Sequence, residues 1–261
     1  MKTAEIRVHL LPQLVEPEEL AGGFAIVIDV LRATTTITAA LAAGAREVIP
    51  CLEIDAARRA AANLQGTPIV LGGERQGVRI EGFDLGNSPR EYTPLAVGGR
   101  TVVFTTTNGT RAMLHARQAG DVRLAAFVNL SAVVAASAGR ERVDVICSGT
   151  GGKVTREDVL LAGAIAERLT ASAAAELNDQ AAIARAAWLE AIGNPDAELP
   201  WLAARLAAAL RETQGGRNLK RLGLESDIDD AAAIDRFSIV PRLEASPDSA
   251  GTIEFRLRIA S

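Results

Sequence analysis

Short apolar runs rich in β-branched residues alternate along the chain with longer stretches of helical periodicity. Runs of this length that are apolar at nearly every position are typical of strands covered on both faces. The predicted strands are Ile6–Leu10, Phe24–Val30, Glu47–Ile49, Pro68–Leu71, Thr101–Thr105, Val122–Phe127, Val143–Cys147 and Thr252–Ile259.

The stretches between these strands predict helices. Capping residues and terminal glycines support two of them, Thr34–Ala43 and Asp55–Leu64. Further helices are predicted over Ser131–Ala138, before Leu169, over Ala171–Thr213 with an interruption at Gly193–Pro195, and at 215–223. The repeated order of strand, Gly-rich turn and helix predicts an α/β fold, layered α/β/α around a mixed sheet. We expect one domain over residues 1–261, with a weak subdivision near residue 125.

Between Gly72 and Pro94 the periodicity stops, and the segment is rich in glycine, proline and charge. It is long for a plain connection, and such loops are usually functional or disordered. Its polar residues Glu74, Arg75, Asp84, Asn87 and Ser88 are candidates to recognise a polyanion or to complete a metal site. The alternative is a solvated surface loop with ordinary turns.

Composition narrows the classes of function. Of 261 residues, 48% are hydrophobic and 23% charged, as in a globular protein with a core. The formal net charge is −4 without a basic stripe, so we expect no nucleic-acid partner. No apolar run is as long as a membrane span and no signal peptide is recognisable, so we expect no membrane partner and a cytoplasmic location. The oligomeric state stays open, a homo-oligomer included.

The first candidate site follows the strand that ends near Asp29. In α/β proteins, ligands bind at the carboxyl ends of strands, where a carboxylate can bind Mg²⁺ or attack phosphorus. Arg32 is a candidate to clamp phosphate oxygens, and the hydroxyls of Thr34 and Thr35 to hold an anion at the helix start. The alternative is an Asp–Arg ion pair with a helix cap. The Asp-x-Asp motif of haloacid dehalogenase phosphatases is absent, because Leu31 takes its second position.

A second candidate is the turn after Thr105, where hydroxyls, an Asn-Gly pair and an arginine stand at a strand-to-helix junction. Amides and hydroxyls that converge on one point suit a phosphate or sulfonate. An ordinary turn is the alternative. The candidate residues are Thr107, Asn108, Gly109, Thr110 and Arg111.

A third candidate, Cys147–Lys153, is similar to two phosphate-binding loops and matches neither. A Walker A loop has four residues between its glycines and a Ser or Thr after its lysine, where this chain has Val154. A cysteine-phosphatase loop requires arginine where this chain has Lys153. Cys147 is a candidate nucleophile or a buried strand end, and Ser148 and Gly149 are candidate substrate ligands.

The fourth candidate is the pair Glu157 and Asp158, at the start of the next helix. Thr155 with an acid three residues on is typical of a capping box, which explains the pattern without a site. The functional alternative is that one of these carboxylates binds Mg²⁺.

Together these stretches resemble the 2-phosphosulfolactate phosphatase family, also called ComB. The matching segments are VIDVLRATTT, GGERQGVRIEGFDLGNSP, FTTTNGTRA, CSGTGGKVTREDVLLAG and NLKRLGLESDIDDAAAID, followed by Val240-Pro241. They lie in family order over most of the chain. Small departures, such as Thr155-Arg156 before the acid pair, concern the wall of the pocket.

The resemblance implies Mg²⁺-dependent hydrolysis of 2-phospho-3-sulfolactate to 3-sulfolactate and phosphate, a step toward coenzyme M. By resemblance, the motif positions that line the site are Asp29, Arg32, Glu74, Asn108, Gly109, Glu157 and Asp158. We expect Asp29, with Glu157 or Asp158 and with Glu74, to hold Mg²⁺, while Arg75 and the turn at 107–111 bind the sulfonate or carboxylate. Metal-activated water and Asp29 stay open as nucleophiles.

Three rival functions remain: a phosphatase of another small 2-phospho-hydroxy acid, a cysteine-dependent phosphatase that uses Cys147, and a non-catalytic anion-binding protein of the same fold. Activity that survives a chelator and fails on Cys147→Ala would identify the second. The third would have little use for acids beside an anion-binding turn.

Overall fold

The protein folds around one mixed β-sheet with helices on both faces. The computed structural model describes residues 4–64, 66–172, 174–247 and 253–260. The strands within these ranges are β1 (Ala4–His9), β2 (Phe24–Ile28), β3 (Glu47–Pro50), β4 (Ile69–Arg75), β5 (Val78–Arg79), β6 (Thr101–Thr105), β7 (Asp121–Ala125), β8 (Arg142–Cys147), β9 (Ala175–Leu177), β10 (Pro241–Pro247) and β11 (Ile253–Ile259). The predicted layered α/β architecture is confirmed.

The helices alternate with the strands, as the sequence pattern indicates. They are α1 (Ala33–Ala42), α2 (Ile54–Asn63), α3 (Pro94–Val97), α4 (Gly109–His115), α5 (Leu130–Ala136), α6 (Arg156–Ser172), α7 (Asp179–Ile192), α8 (Leu199–Arg211), α9 (Gln214–Arg221) and α10 (Ser226–Ala231). In the described part of the chain, none is long and apolar enough to cross a membrane.

The sheet consists of two parallel groups joined by a hairpin. Its strand order is β5-β4-β6-β3-β11-β10-β7-β2-β8-β1-β9. Strands β4, β6 and β3 are parallel neighbours, and so are β7, β2, β8, β1 and β9. The antiparallel pair β10–β11 lies between the groups and pairs with β7 on one side and β3 on the other.

Strand β2 shows why the apolar runs are continuous. Phe24, Ile26 and Ile28 belong to the core on one face of the sheet, and Ala25 and Val27 to the core on the other. Because successive side chains point to opposite faces, a strand buried on both sides must be apolar at every position.

Three strands differ from the sequence-based expectation. β5, a two-residue strand antiparallel to β4, lies inside the segment at 72–94 where the periodicity stops. β9 lies inside the stretch predicted as helix, because it pairs with β1, where Leu177 is opposite Ile6, and tertiary pairing outweighs the helical propensity of alanine. The sequence pattern does not predict β10, because this strand is defined by its pairing with β11. Thr252, the predicted start of the last strand, lies outside the described residues. The subdivision near residue 125 stays a prediction.

The strand ends determine where the site forms. In one parallel group Ile28 pairs with Cys147, so the segments after β2 and β8 leave the sheet side by side. In the other group Gly73 pairs with Thr105, so the segments after β4 and β6 do the same. The two pairs of ends meet where the start of α4 contacts Asp29.

Candidate active site

Asp29 is the centre of the candidate site and stands between β2 and α1. Its Oδ1 accepts a hydrogen bond from the backbone N–H of Ala33 at 3.1 Å. Its Oδ2 faces Gly109, where an added Cβ would be only 2.7 Å away. Burial, and next the charge of Asp158, raise the pKa of Asp29 to about 8. A carboxyl group that holds its proton near neutral pH is typical of functional sites.

Asp158 lies beside Asp29 and is held rigidly at the start of α6. Its Oδ1 accepts a hydrogen bond from the Val30 N–H at 3.0 Å. Its Oδ2 accepts hydrogen bonds from the Gly149 N–H at 3.0 Å and from the hydroxyls of Ser148 and Thr155. Burial raises the pKa of Asp158 despite these donors. These hydrogen bonds tie the Asp158 carboxyl group to Val30 and to the Ser148–Gly149 loop, and they fix it in a buried position next to Asp29.

Glu74, at the end of β4, connects the long loop to the Asn-Gly turn. Its Oε1 accepts hydrogen bonds from the N–H and the hydroxyl of Thr107, at 3.1 and 3.3 Å. Its Oε2 accepts one from the Gly77 N–H. Glu74 also contributes to the raised pKa of Asp29. The side chain thus orders two loops and adds negative charge to the site.

Arg32 is buried and paired. Its Nη1 contacts Asp227 of α10 at 2.7 Å, with both side chains almost inaccessible to solvent, and its Nη2 donates to the carbonyl of Gly77 at 3.2 Å. The Ser88 hydroxyl donates to the other oxygen of Asp227 at 2.7 Å. Next to this group, Oδ1 of Asn87 is buried without a hydrogen-bond partner among the described residues.

A cleft of about 500 Å³ opens above these groups. The side chains and backbone that line it are Asp29, Leu31, Arg32, Glu74, Gln76, Gly77, Asn87, Thr106, Thr107, Asn108, Thr150, Gly151, Gly215, Asn218, Leu219, Arg221 and Leu222. The Asn108 side chain accepts a hydrogen bond from the Gly151 N–H at 3.1 Å, so two of the predicted loops meet in the wall. A cleft of this volume is the size of a small-molecule site.

Glu157 lies behind the cleft, against α9. A Cβ on Gly215 would come within 2.2 Å of its Oε1, so α9 packs directly on this carboxyl group. Its Oε2 is buried without a described hydrogen-bond partner. Burial, and next the charge of Asp158, raise the pKa of Glu157 to about 7.

The acid residues suit a hard cation in their chemistry. Buried carboxyl groups that raise one another's pKa provide oxygen ligands and a charge that a cation would neutralise. Within the described ranges, however, no three His, Cys, Asp or Glu side chains are arranged to hold a metal ion. The oxygens of Asp158 and Glu74 already accept backbone hydrogen bonds. Mg²⁺ usually binds one or two carboxylates together with water and substrate phosphate, and Asp29 fits that mode.

Several predicted ligands satisfy their own backbone instead of facing the cleft. Thr34 and Thr35 donate to the carbonyls of Asp29 and Val30. The hydroxyl of Thr110 accepts a hydrogen bond from the N–H of Thr106. These hydroxyls stabilise the starts of α1 and α4.

Two predicted arginines lie elsewhere. Arg75 donates to Thr105 and the Leu52 carbonyl, and it lines a separate hollow beside α2. Arg111 lies in a shallow depression with His115. Neither is among the residues that line the cleft.

Cys147 is inside the core, fully buried, and burial raises the pKa of its thiol well above the usual value. A nucleophilic cysteine requires the opposite shift, so the environment argues against this role.

Sequence reasoning missed the contribution of α9 and α10. The sequence pattern predicts a short helix at 215–223 and gives it no functional residue, whereas Asn218, Leu219, Arg221 and Leu222 line the cleft and Asp227 pairs with Arg32. The available signal was the cluster of Arg217, Lys220 and Arg221 on one short predicted helix.

Comparison with known proteins gives a consistent family. The sequence model of a family described as 2-phosphosulpholactate phosphatase matches residues 9–246. A protein of Symbiobacterium thermophilum named "Probable 2-phosphosulfolactate phosphatase" is 42% identical over 231 residues, covering 86% of this chain and 92% of the relative. One of the same name from Deinococcus radiodurans is 41% identical over 254 residues, covering 96% and 98%. The chain therefore belongs to the 2-phosphosulfolactate phosphatase family, a family of phosphoric monoester hydrolases.

Proposed function

We propose that this protein is a Mg²⁺-dependent phosphatase that hydrolyses 2-phospho-3-sulfolactate to 3-sulfolactate and phosphate. The observation that carries the proposal is the buried Asp29–Asp158 pair at the floor of a cleft, beside the Asn108 turn. A protein that only bound the anion would gain nothing from acids at this place, because they repel it.

The residues divide the work of binding. Thr106, Thr107 and Asn108 line the cleft, and because Glu74 accepts hydrogen bonds from Thr107, the turn forms an ordered wall beside the place that we assign to the phosphoryl group. Gly109 allows the start of α4 to pack directly against Asp29 and so fixes the position of its carboxyl group. Asp158 does not face the substrate, and we assign it the role of holding Val30 and the Ser148–Gly149 loop in place.

Mg²⁺ would be held by Asp29 together with water and substrate phosphate, and it would supply charge neutralisation at the transferring phosphoryl group. Glu74, whose oxygens accept hydrogen bonds from Gly77 and Thr107, would add negative charge nearby. With the charge of Mg²⁺ present, Asp29 would release its proton and take part as a carboxylate. Attack by water or by Asp29 itself is compatible with its position. The link to coenzyme M stays an expectation of the family resemblance, and the cytoplasmic location stays an expectation of the sequence pattern.

The test is phosphate release from 2-phospho-3-sulfolactate and a panel of small phosphomonoesters, including 2-phospholactate, with Mg²⁺ and with a chelator. We expect release with Mg²⁺ only, fastest for the sulfonated ester. Asp29→Asn should lower kcat by about 10³-fold or more, if one electrostatic contact with the reacting group is worth the usual amount. Full Mg²⁺-dependent turnover in Asp29→Asn would show the metal assignment to be wrong. If another 2-phospho-hydroxy acid reacted faster, that compound would replace 2-phospho-3-sulfolactate as the proposed substrate.

A further inference from the structure

The outer end of the cleft is formed by α9, and one of its side chains has no role so far. Helix α9 begins next to Glu157 and Leu31, and the residue after it, Leu222, lies against Gly77 on the opposite rim. Arg221 and Asn218 are three positions apart, so they share one face of the helix, and both line the cleft. This face is the roof of the site.

Charge distinguishes Arg221 from the other cation of the cleft. Arg32 already contacts the Asp227 carboxylate at 2.7 Å. Arg221 donates a hydrogen bond to the neutral amide oxygen of Asn218 and forms no ion pair with a described residue. Among the described lining residues, Arg221 is therefore the cationic group that remains open to a ligand.

We infer that Arg221, oriented by Asn218, binds the sulfonate of the substrate and sets the preference for sulfonated esters. The inference rests on the proposed function for the identity of the ligand. A sulfonate stays ionised throughout the neutral pH range, and a guanidinium group is a permanent cation with several donors for its oxygens. The phosphate at the inner end and the sulfonate at the outer end would then lie at opposite ends of one cleft.

Lys220 provides a matched control. It precedes Arg221 in the last turn of the same helix, so both charges interact equally with the helix dipole. Lys220 is exposed and is not among the residues that line the cleft. A general effect of the positive charge on α9 would change binding in both variants. Loss of the group that binds the sulfonate would change binding only in the Arg221 variant.

The experiment is calorimetric titration of 3-sulfolactate and of inorganic phosphate, each with Mg²⁺, into wild type, Arg221→Gln and Lys220→Gln. We expect Arg221→Gln to raise the Kd of 3-sulfolactate about tenfold, the usual value of one charge-assisted hydrogen bond. The Kd of phosphate should stay within about twofold, and Lys220→Gln should resemble wild type for both ligands.

Three results would overturn the inference: no binding of 3-sulfolactate by wild type, an unchanged Kd in Arg221→Gln, or an equal loss of phosphate and 3-sulfolactate affinity. Phosphate release separates it from the proposed function. Binding that depends on Arg221 without hydrolysis of the ester would reject the function alone. If Arg221→Gln hydrolysed the esters and kept the wild-type preference for the sulfonated ester, the inference alone would be rejected.

Discussion

Gly109 is the position at which the smallest change should have the largest effect on activity. An alanine Cβ there would lie 2.5 Å from the Ala33 Cβ and 2.7 Å from Asp29 Oδ2. Comfortable contacts between such atoms are about 3.5 Å or longer. The substitution must therefore displace the start of α1, the Asp29 carboxyl group, or both by about 1 Å to restore normal contact.

Gly109→Ala should affect the stability and the activity of the protein to different degrees. Overpacking of this kind costs about 1–3 kcal/mol, and the better helical propensity of alanine offsets about 1 kcal/mol. We expect the free energy of unfolding to fall by about 2 kcal/mol at most, the difference between these two effects. Misplacement of a reacting group by about 1 Å can lower the rate about 100-fold. Gly109→Ala should therefore lose far more activity than stability.

The assay is phosphate release at saturating substrate and Mg²⁺, with urea denaturation of the same samples. The double variant Ala33→Gly/Gly109→Ala is the control, because it removes the contact with Ala33 and leaves the one with Asp29. It should regain packing without regaining turnover. If Gly109→Ala kept kcat within about twofold of wild type, the close approach to Asp29 would not matter to the chemistry, against the expectation from proximity.

Three further predictions follow from the same groups. Burial and the Asp158 charge raise the pKa of Asp29 to about 8, and an unfolded aspartate ionises near pH 4. The native state therefore keeps a proton that the unfolded chain has lost, and metal-free protein should lose stability as pH rises from about 4 to 8. Asp29→Asn should flatten this slope in urea titrations, and an unchanged slope would contradict the assignment. Asp227→Asn leaves buried Arg32 without a counter-charge and should lower the free energy of unfolding by about 3 kcal/mol; a loss below about 1 kcal/mol would show that the pair is replaceable. Cys147→Ala should keep Mg²⁺-dependent phosphate release, since its thiol is buried in the core; complete loss of activity in a folded variant would restore the cysteine mechanism.

The parts of the site that depend on local sequence were predictable. The apolar run before Asp29 and the Asn-Gly turn after Thr105 each indicated the end of a strand. Asp29 and Asn108 line the cleft, and Gly109 contacts Asp29. The acid pair at the start of α6 could be read as a cap or as part of a site, and in the structure Asp158 accepts hydrogen bonds from Val30 and from the Ser148–Gly149 loop and lies beside Asp29.

The roles of the arginines were harder to predict, because the direction of each side chain depends on the three-dimensional structure and not on composition. Glu74 and Arg75 are consecutive in β4, so their side chains point to opposite faces and only one can reach the cleft. Arg111 lies two positions after Gly109 in α4, about 200° around the helix, so it points away when Gly109 contacts Asp29. The pairing of Arg32 with Asp227 joins residues 195 positions apart and has no local signal.

The charge balance of the cleft explains why these directions matter. Arg32 is neutralised by Asp227, while Asp29, Asp158 and Glu74 stand together at the inner end. A phosphate dianion that entered beside three ionised carboxylates would be repelled in a site with little water to screen the charges. The inner end can therefore accept phosphate only if a proton stays on Asp29 or a divalent cation replaces it. Under the proposed function, the divalent cation would balance the charge at the inner end, and Arg221, which has no ion pair among the described residues, would balance the sulfonate at the outer end.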